Sequence, residues 1–467
     1  MPNVYALFWF DVEDCSVPQS DDAAGRLAKI LTEHKVRGSF KVVGQKARLL
    51  EQRVRYKVID ALKEHDIGFH SNWHGLRPQI AEYLGPLAWD EGVAEFERRE
   101  GPGLEDVRRI FGPHVWTYGQ PGSNWGPHVF PVLRKWDIPT YVSGFGYIGV
   151  DCQPFWLGGI LCTSHMYGKR LGGAQERHLM GLNFELGKPG ELDKHKETFA
   201  RSLEQLAGSG GVISIINHPC TLVLEEWFST YLKPKKLTEA GYAHFDKFVK
   251  WAMSHKNVKP TCAGELRRLY PDRASGRVFS REELREVAQN LSKEIGFQRL
   301  GDVTVSAAEA FGLLANCLGG YVVNRKLPEE VLCTPVYNPT ARPAEFGQNV
   351  SVSWRAFRDS IKAVMAGVNA RRAMPNQIEV GKYVVLPADY LAALAKAVVC
   401  LIDGKKPAAK LKIAPVPCRF EDYVDEAAAQ SGWRGAMLPT DFAAPNMLDL
   451  ARHLAWTLKP AVLSSDA

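Results

Sequence analysis

His70 and His74 stand four residues apart in the run Gly68-Phe69-His70-Ser71-Asn72-Trp73-His74. On a helical turn that spacing puts both imidazoles on one face, with about 5–6 Å between Cβ atoms, and lets both reach one cation. A second cluster, Asp11-Val12-Glu13-Asp14, places three carboxylates within four residues after an apolar stretch. Burying such charges together is costly without a counter-ion. One of these carboxylates with the two histidines makes a set that leaves coordination positions for water and substrate. Another is then free to act as a general base. Zinc is the default ion for these donors, and manganese, cobalt, nickel or iron suit them too. His218 ends the apolar run Gly211-Val212-Ile213-Ser214-Ile215-Ile216-Asn217 and suits a general acid, because an imidazole titrates near neutrality. Taken singly, these residues also have ordinary readings: strand-end histidines held by backbone, and an acidic surface turn.

The elements that must position them follow from periodicity. Val4-Tyr5-Ala6-Leu7-Phe8-Trp9-Phe10 predicts a buried strand that delivers Asp11. A helix over 21–34, a strand over 38–44 and a helix over 53–64 lead to a strand over 66–69 that delivers His70. The alternation continues with helices over 91–111, 127–136, 193–207 and 238–254, and strands over 114–118, 139–143 and 211–217. Residues 144–190 are glycine-rich and irregular, with a short strand over 159–163. Alternating strands and helices predict an α/β parallel sheet or barrel. In such folds chemistry gathers at the C-terminal ends of the strands. Asp11, His70, Pro121 and His218 all fall at such ends.

Composition narrows the class. A chain of 467 residues has room for more than one domain, and a net charge of +6 without a dense Lys/Arg run gives no reason to expect nucleic acid. Lys405, Lys406, Lys410 and Lys412 are expected on a solvated face. No window approaches the roughly 18 apolar residues of a membrane span. The first residues enter a strand without a basic region, apolar region and cleavage site, so a cytoplasmic location is expected. The nine cysteines are odd in number and dispersed with no CxxC pair, which indicates neither a disulfide framework nor a thiolate zinc site.

The Asp11 cluster, the His-Ser-x-x-His of His70 to His74, the Pro121-Gly122 loop and the His218 strand end occur in the order seen in the NodB-homology polysaccharide deacetylases, carbohydrate esterase family 4, which this chain resembles over about residues 3–270. Gly38 to Gly44, GSFKVVG, is similar to that family's second strand, and the Asp-Val-Glu-Asp form is similar to the branch with peptidoglycan-deacetylase-like and allantoinase-like proteins. The resemblance implies a distorted (β/α) barrel and metal-dependent hydrolysis of an acetamide. It implies Asp11 as general base, Asp14 as metal carboxylate with Glu13 the alternative, His70 and His74 as ligands, and His218 as the acid that protonates the leaving amine. It places Gln120, Pro121 and Gly122 beside the substrate, where a backbone N–H could meet an oxyanion. Asp151 is the candidate for orienting the catalytic histidine. Trp125, with Trp73 and Trp156, could stack on a sugar or pack the barrel rim. Two departures stand out. Gly119 occupies the place of an arginine that orients the base, so the partners of Asp11 must come from elsewhere, and the last motif reads Asn217-His218-Pro219-Cys220.

A linker over 271–277 separates a first domain, 1–272, from a second, 278–467, expected to be mainly α-helical. Within the second, 306–315 matches 386–395 at an offset of 80, and Pro335-Val336 matches Pro415-Val416. Each unit is expected to hold two amphipathic helices and a proline-bearing tail, with a shorter third copy from about 420 that includes 447–458. The pattern is faintly similar to pseudomurein-binding repeats. A helical accessory domain, or one through which the chain forms a homo-oligomer, is the alternative. The expected function is metal-dependent de-N-acetylation of an amino sugar or glycan precursor. The alternatives are allantoinase-like hydrolysis of a cyclic amide and a non-catalytic carbohydrate-binding protein.

Overall fold

The computed structural model of the chain describes residues 2–122, 124–143, 148–150, 154–164, 179–182, 186–342, 349–427, 429–430 and 438–465. Its centre is β1 (Val4–Val12), buried along its whole length. A continuous apolar run of this kind suits a strand covered on both faces of a parallel sheet. Along one edge β1 pairs with β9 (Gly211–Asn217). Along the other it pairs with β10 (Val258–Thr261) near its start and with β2 (Ser39–Val42) near its end. From β2 the sheet continues through β3 (Asp66–Phe69), β4 (Thr117–Tyr118), β5 (Thr140–Ser143), β7 (Ile160–Ser164) and β6 (Phe155–Leu157), and β8 (Leu179–Gly181) lies beyond β9. All pairings from β8 to β7 are parallel, so the strand ends that carry Asp11, His70 and His218 open on one side.

The sheet curls. Tyr5, Leu7 and Trp9 of β1 share a buried cluster with Val142 of β5, Trp156 of β6 and Leu161 of β7, strands far along the sheet order. Only a sheet bent towards a barrel brings those faces together. The opposite face is covered by the crossover helices, among them α1 (Pro18–Glu33), α2 (Gly44–Gln52), α3 (Tyr56–Lys63), α4 (Ile80–Leu84), α5 (Trp89–Phe111), α6 (Val129–Lys135), α7 (Glu191–Leu206) and α8 (Lys235–Met253). One helix was expected between β2 and β3. The chain instead makes α2 and α3, divided at Val54, whose φ of 55° no helix interior accepts. Among the described residues, no helix is long and apolar enough to cross a membrane.

A short helix, α9 (Leu266–Leu269), follows β10. After residue 277 the same order of elements occurs twice. Val278–Ser280 pairs with Glu330–Leu332 around α10 (Arg281–Leu291), a hairpin of Gln298–Leu300 and Val303–Val305, and α11 (Ala307–Asn324). Val350–Ser353 pairs with Lys410–Ile413 around α12 (Trp354–Arg371), a hairpin of Ile378–Val380 and Tyr383–Val385, and α13 (Pro387–Ile402). The units therefore carry short strands, which the sequence did not indicate, as well as the expected helices. Hairpins this short offer little apolar periodicity to a sequence reading. Each unit lends its tail to the other: Met374 N donates to Tyr337 O, and Arg419 N donates to Ile295 O. The chain's last segment goes elsewhere. Helix Pro445–Leu454 reaches the barrel through Asn446, which donates to Leu87 O at 2.7 Å, and Lys459–Pro460 pairs antiparallel with β6 as an edge strand. Residues 447–458 thus join the barrel to the repeated units, with Trp456 against Phe420, and carry one helix where each unit has two.

Candidate active site

Residues of β1 alternate between the two faces, and Trp9 lies in the inner cluster, so Asp11 points inward beyond it. Glu13 follows two residues later and meets both histidines. Its Oε2 lies 3.2 Å from His70 Nε2 and 2.9 Å from His74 Nε2. One ligand atom from each of Glu13, His70 and His74 lies within 4.8 Å of the others, and the same holds for Asp11, Glu13 and His218. Asp11 Oδ2 is 3.5 Å from His218 Nε2, and Oδ1 is 3.6 Å from His70 Nδ1. His70 Nδ1 also lies 2.7 Å from Gly119 O. Carrying its proton there leaves Nε2 unprotonated and facing Glu13, the tautomer that a metal ligand needs.

The two histidines do not share a helical turn. Residues 70–79 form a loop, with Ser71 at φ 68° and Gly75 at φ 70°. A left-handed serine costs roughly 1–2 kcal/mol and breaks helical pairing. Its neighbours hold it there. The first amides of α2, Gly44 N and Gln45 N, donate to Ser71 O and Asn72 O, and Asn72 N donates to Glu100 Oε2 of α5 at 2.6 Å. The ring centroids of His70 and His74 end 5.4 Å apart.

Burial pushes the Asp11 carboxyl up, but the charges of His70 and Lys41 outweigh it and hold it well below the usual range. Glu13 is likewise pushed up by burial and held low by His74 and His218. Burial lowers His70, whereas Glu13 raises His74 above the ordinary imidazole value despite burial. Both carboxylates are therefore acceptor-only groups near neutrality, the state that a cation site requires.

The other expected residues fall in varied places. Asp14 is buried, but both its carboxylate oxygens lack a hydrogen-bond partner and it is not part of the ligand cluster. Gln120 is buried and holds its own loop, donating to Gly122 O at 2.6 Å and accepting from Tyr141 OH at 2.5 Å. Pro121 lines a cavity of about 340 Å³ with Trp73, Leu76, Tyr83, Glu100 and Asn124. Trp125 and Trp156 are buried, Trp125 in the main core and Trp156 in the inner cluster, which corrects their place as stacking candidates: neither leaves a ring face open to a sugar. Trp73 is 48% exposed and lies over the Arg48 guanidinium. Asp151 lies outside the described residues.

Residues that the sequence reading passed over also face this site. Trp227 packs edge-on to His218, with centroids 4.6 Å apart, and Phe228 lies 5.4 Å from His74. Their signal was an aromatic pair nine and ten residues after His218. Lys41 of β2 is fully buried, with Nζ 2.9 Å from Asp11 Oδ1. A lysine inside an apolar strand was the sign of it.

No protein-family model and no curated protein matches the sequence. Solved structures do resemble it. They include a Mycobacterium smegmatis protein assigned as a polysaccharide deacetylase, 17% identical over 57% of this chain and 90% of that one with a TM-score of 0.39. A 4-alpha-glucanotransferase from Thermococcus litoralis is 13% identical over 58% of this chain and 41% of that one, with a TM-score of 0.40. Puue allantoinase is 13% identical over 57% of this chain and 91% of its own, with a TM-score of 0.38. Likenesses at this level carry no argument about activity, so function has to be argued from this chain's own residues.

Proposed function

We propose that this chain is a metal-dependent hydrolase of a carbon–nitrogen amide bond, with an N-acetylated sugar or glycan precursor as substrate class. The observation that carries the reading is the convergence of Glu13 on both His70 and His74, with Asp11 and His218 beside it. The donor set suits a divalent ion: two imidazole nitrogens that would give up any proton to it, one ionised carboxylate, and a His70 tautomer fixed by Gly119 O. Zinc is the default for such donors. Glu13, His70 and His74 would hold such an ion, which would supply Lewis-acid polarisation of a carbonyl and acidification of water.

The remaining steps belong to the side chains. Asp11, ionised and directed at the same space, accepts the proton of the attacking water. His218, within 3.5 Å of Asp11, protonates the departing nitrogen as the carbon–nitrogen bond breaks. The loop held by Gln120 stands beside the reacting carbonyl. Trp73, Leu76, Phe228 and Tyr231 are exposed large apolar residues, and the rings of Phe228 and Trp227 reach the catalytic histidines, a surface suited to the faces of a sugar ring.

The test is zinc content together with acetate release from N-acetylglucosamine oligomers, with allantoin as the comparison substrate. Wild type should hold zinc and release acetate. Equal zinc in wild type and in His70→Ala and His74→Ala variants would remove the ligand assignment. Zinc binding without product from either substrate would favour a binding protein.

A further inference from the structure

We infer that Lys41 is a positioning residue that fixes the rotamer of the Asp11 carboxylate, and that Gly68 and Gly119 leave the lysine room to pass. This rests on the reading of Asp11 as the base. Lys41 leaves β2 on the inner face of the sheet and crosses β3 and the end of β4. Its Nζ donates to Val142 O of β5 at 2.8 Å. It also lies 2.9 Å from Asp11 Oδ1 and 4.1 Å from the centre of the Trp9 ring. One side chain thus ties β1, β2 and β5 together beneath the site.

Two glycines line the path. A Cβ at Gly68 would lie 2.7 Å from Lys41 Cγ and 2.6 Å from Thr117 Cγ2. A Cβ at Gly119 would overlap the ammonium and lie 2.6 Å from Val142 O. Neither glycine has a positive φ, so backbone conformation does not require it. What requires it is space already taken: by the lysine at both positions, together with Thr117 at Gly68 and Val142 O at Gly119.

The energetics point the same way. A fully buried ammonium carries a desolvation cost of several kcal/mol, and a methionine could follow the same path without it. The cation is instead placed where Asp11 needs a partner. Asp11 Oδ1 faces Lys41, and Oδ2 is left to face His218 at 3.5 Å. Fixing one oxygen of a carboxylate directs the other, and a misplacement of about 1 Å at a reacting group can cost roughly 100-fold in rate.

The experiment compares Lys41→Met with wild type in the full chain, with zinc bound and tri-N-acetylchitotriose as probe. The variant should keep its zinc stoichiometry and circular dichroism while kcat for acetate release falls about 10- to 100-fold and KM moves less than about twofold. A folded, zinc-loaded variant with kcat within about twofold of wild type overturns the positioning role. If Lys41→Met does not fold, the Lys41→Ala/Gly119→Ala double variant, which refills part of the path, is measured in the same way. The shared space is read without activity by a thermal cycle. Gly119→Ala should lower Tm beside Lys41 and lower it less beside Lys41→Ala, where the approach to Val142 O alone remains. Equal Tm losses in the two backgrounds overturn the proposed path. Wild type that binds zinc but releases no acetate sinks the hydrolase reading, while the thermal cycle still decides the lysine's path.

Discussion

Glu13 and Asp14 are neighbours in the chain but face different surroundings: Glu13 Oε2 lies 2.9 Å from His74 Nε2, whereas the Asp14 carboxylate is buried away from both histidines with its oxygens unpartnered. The difference follows from strand geometry. β1 runs to Val12, and its inward-facing series of Trp9 and Asp11 continues to Glu13. On this geometry Glu13→Gln should weaken zinc binding by more than about 100-fold, since changes to groups behind a ligand already cost 10- to 100-fold. Asp14→Asn should bind zinc as wild type does. Competition against a chromophoric chelator measures both, and a reversed order would move the ligand assignment to Asp14.

His218 separates two arrangements that share Glu13. If His218 is the acid, His218→Asn should keep its zinc and lose about 10²- to 10⁴-fold in kcat, the usual contribution of a positioned proton donor. The second cluster, Asp11 with Glu13 and His218, lies within ligand distance as well. Loss of zinc in step with activity would therefore make His218 a ligand and end its role as acid.

Glu100 links pH to the loop that carries the histidines. Burial raises its carboxyl to about 7, against backbone and tyrosine hydrogen bonds from Asn72 and Tyr83 that lower it. A raised carboxyl pKa means that the folded chain holds a proton that the unfolded chain has released. Stability should therefore fall as pH rises from about 4.5 to about 7, by up to roughly 3 kcal/mol, and level off above. Urea unfolding at a series of pH values reads this slope, and Glu100→Gln should flatten it. An unchanged slope in the variant would assign the dependence to other groups.

Much of this was legible in the sequence, and the failures have physical causes. The rule that parallel strands present their C-terminal ends to chemistry placed Asp11, His70 and His218 correctly on one side, because each follows a short apolar run with a clear end. The helical geometry assigned to His70 and His74 failed because Ser71 adopts a positive φ, held by amides of α2 and by Glu100, contacts no local pattern reveals. Extending the period of two past Asp11 puts Glu13, and not Asp14, on the inward series. Lys41 was visible as a charge within GSFKVVG, but its partner lies on another strand. The return of Lys459–Pro460 to the barrel edge is carried by two residues, too few for any periodicity.

Lys459 should be the point at which that return can be broken. It is almost fully buried, and its Nζ lies 2.7 Å from Asp272 Oδ1 and 2.7 Å from Glu309 Oε1. Glu309 is already committed as the capping partner of Ser306 at the start of α11, so one lysine joins the barrel edge, the linker and the first repeated unit. Removing one member of a buried ion group leaves uncompensated charge and typically costs about 3–5 kcal/mol. Lys459→Met should therefore lower the urea midpoint and expose the last segment to limited proteolysis. Adding Glu309→Gln and Asp272→Asn should recover most of the loss, because the stranded charges are then gone. A single variant as stable as wild type would show that the edge strand holds by its backbone pairing with β6 alone.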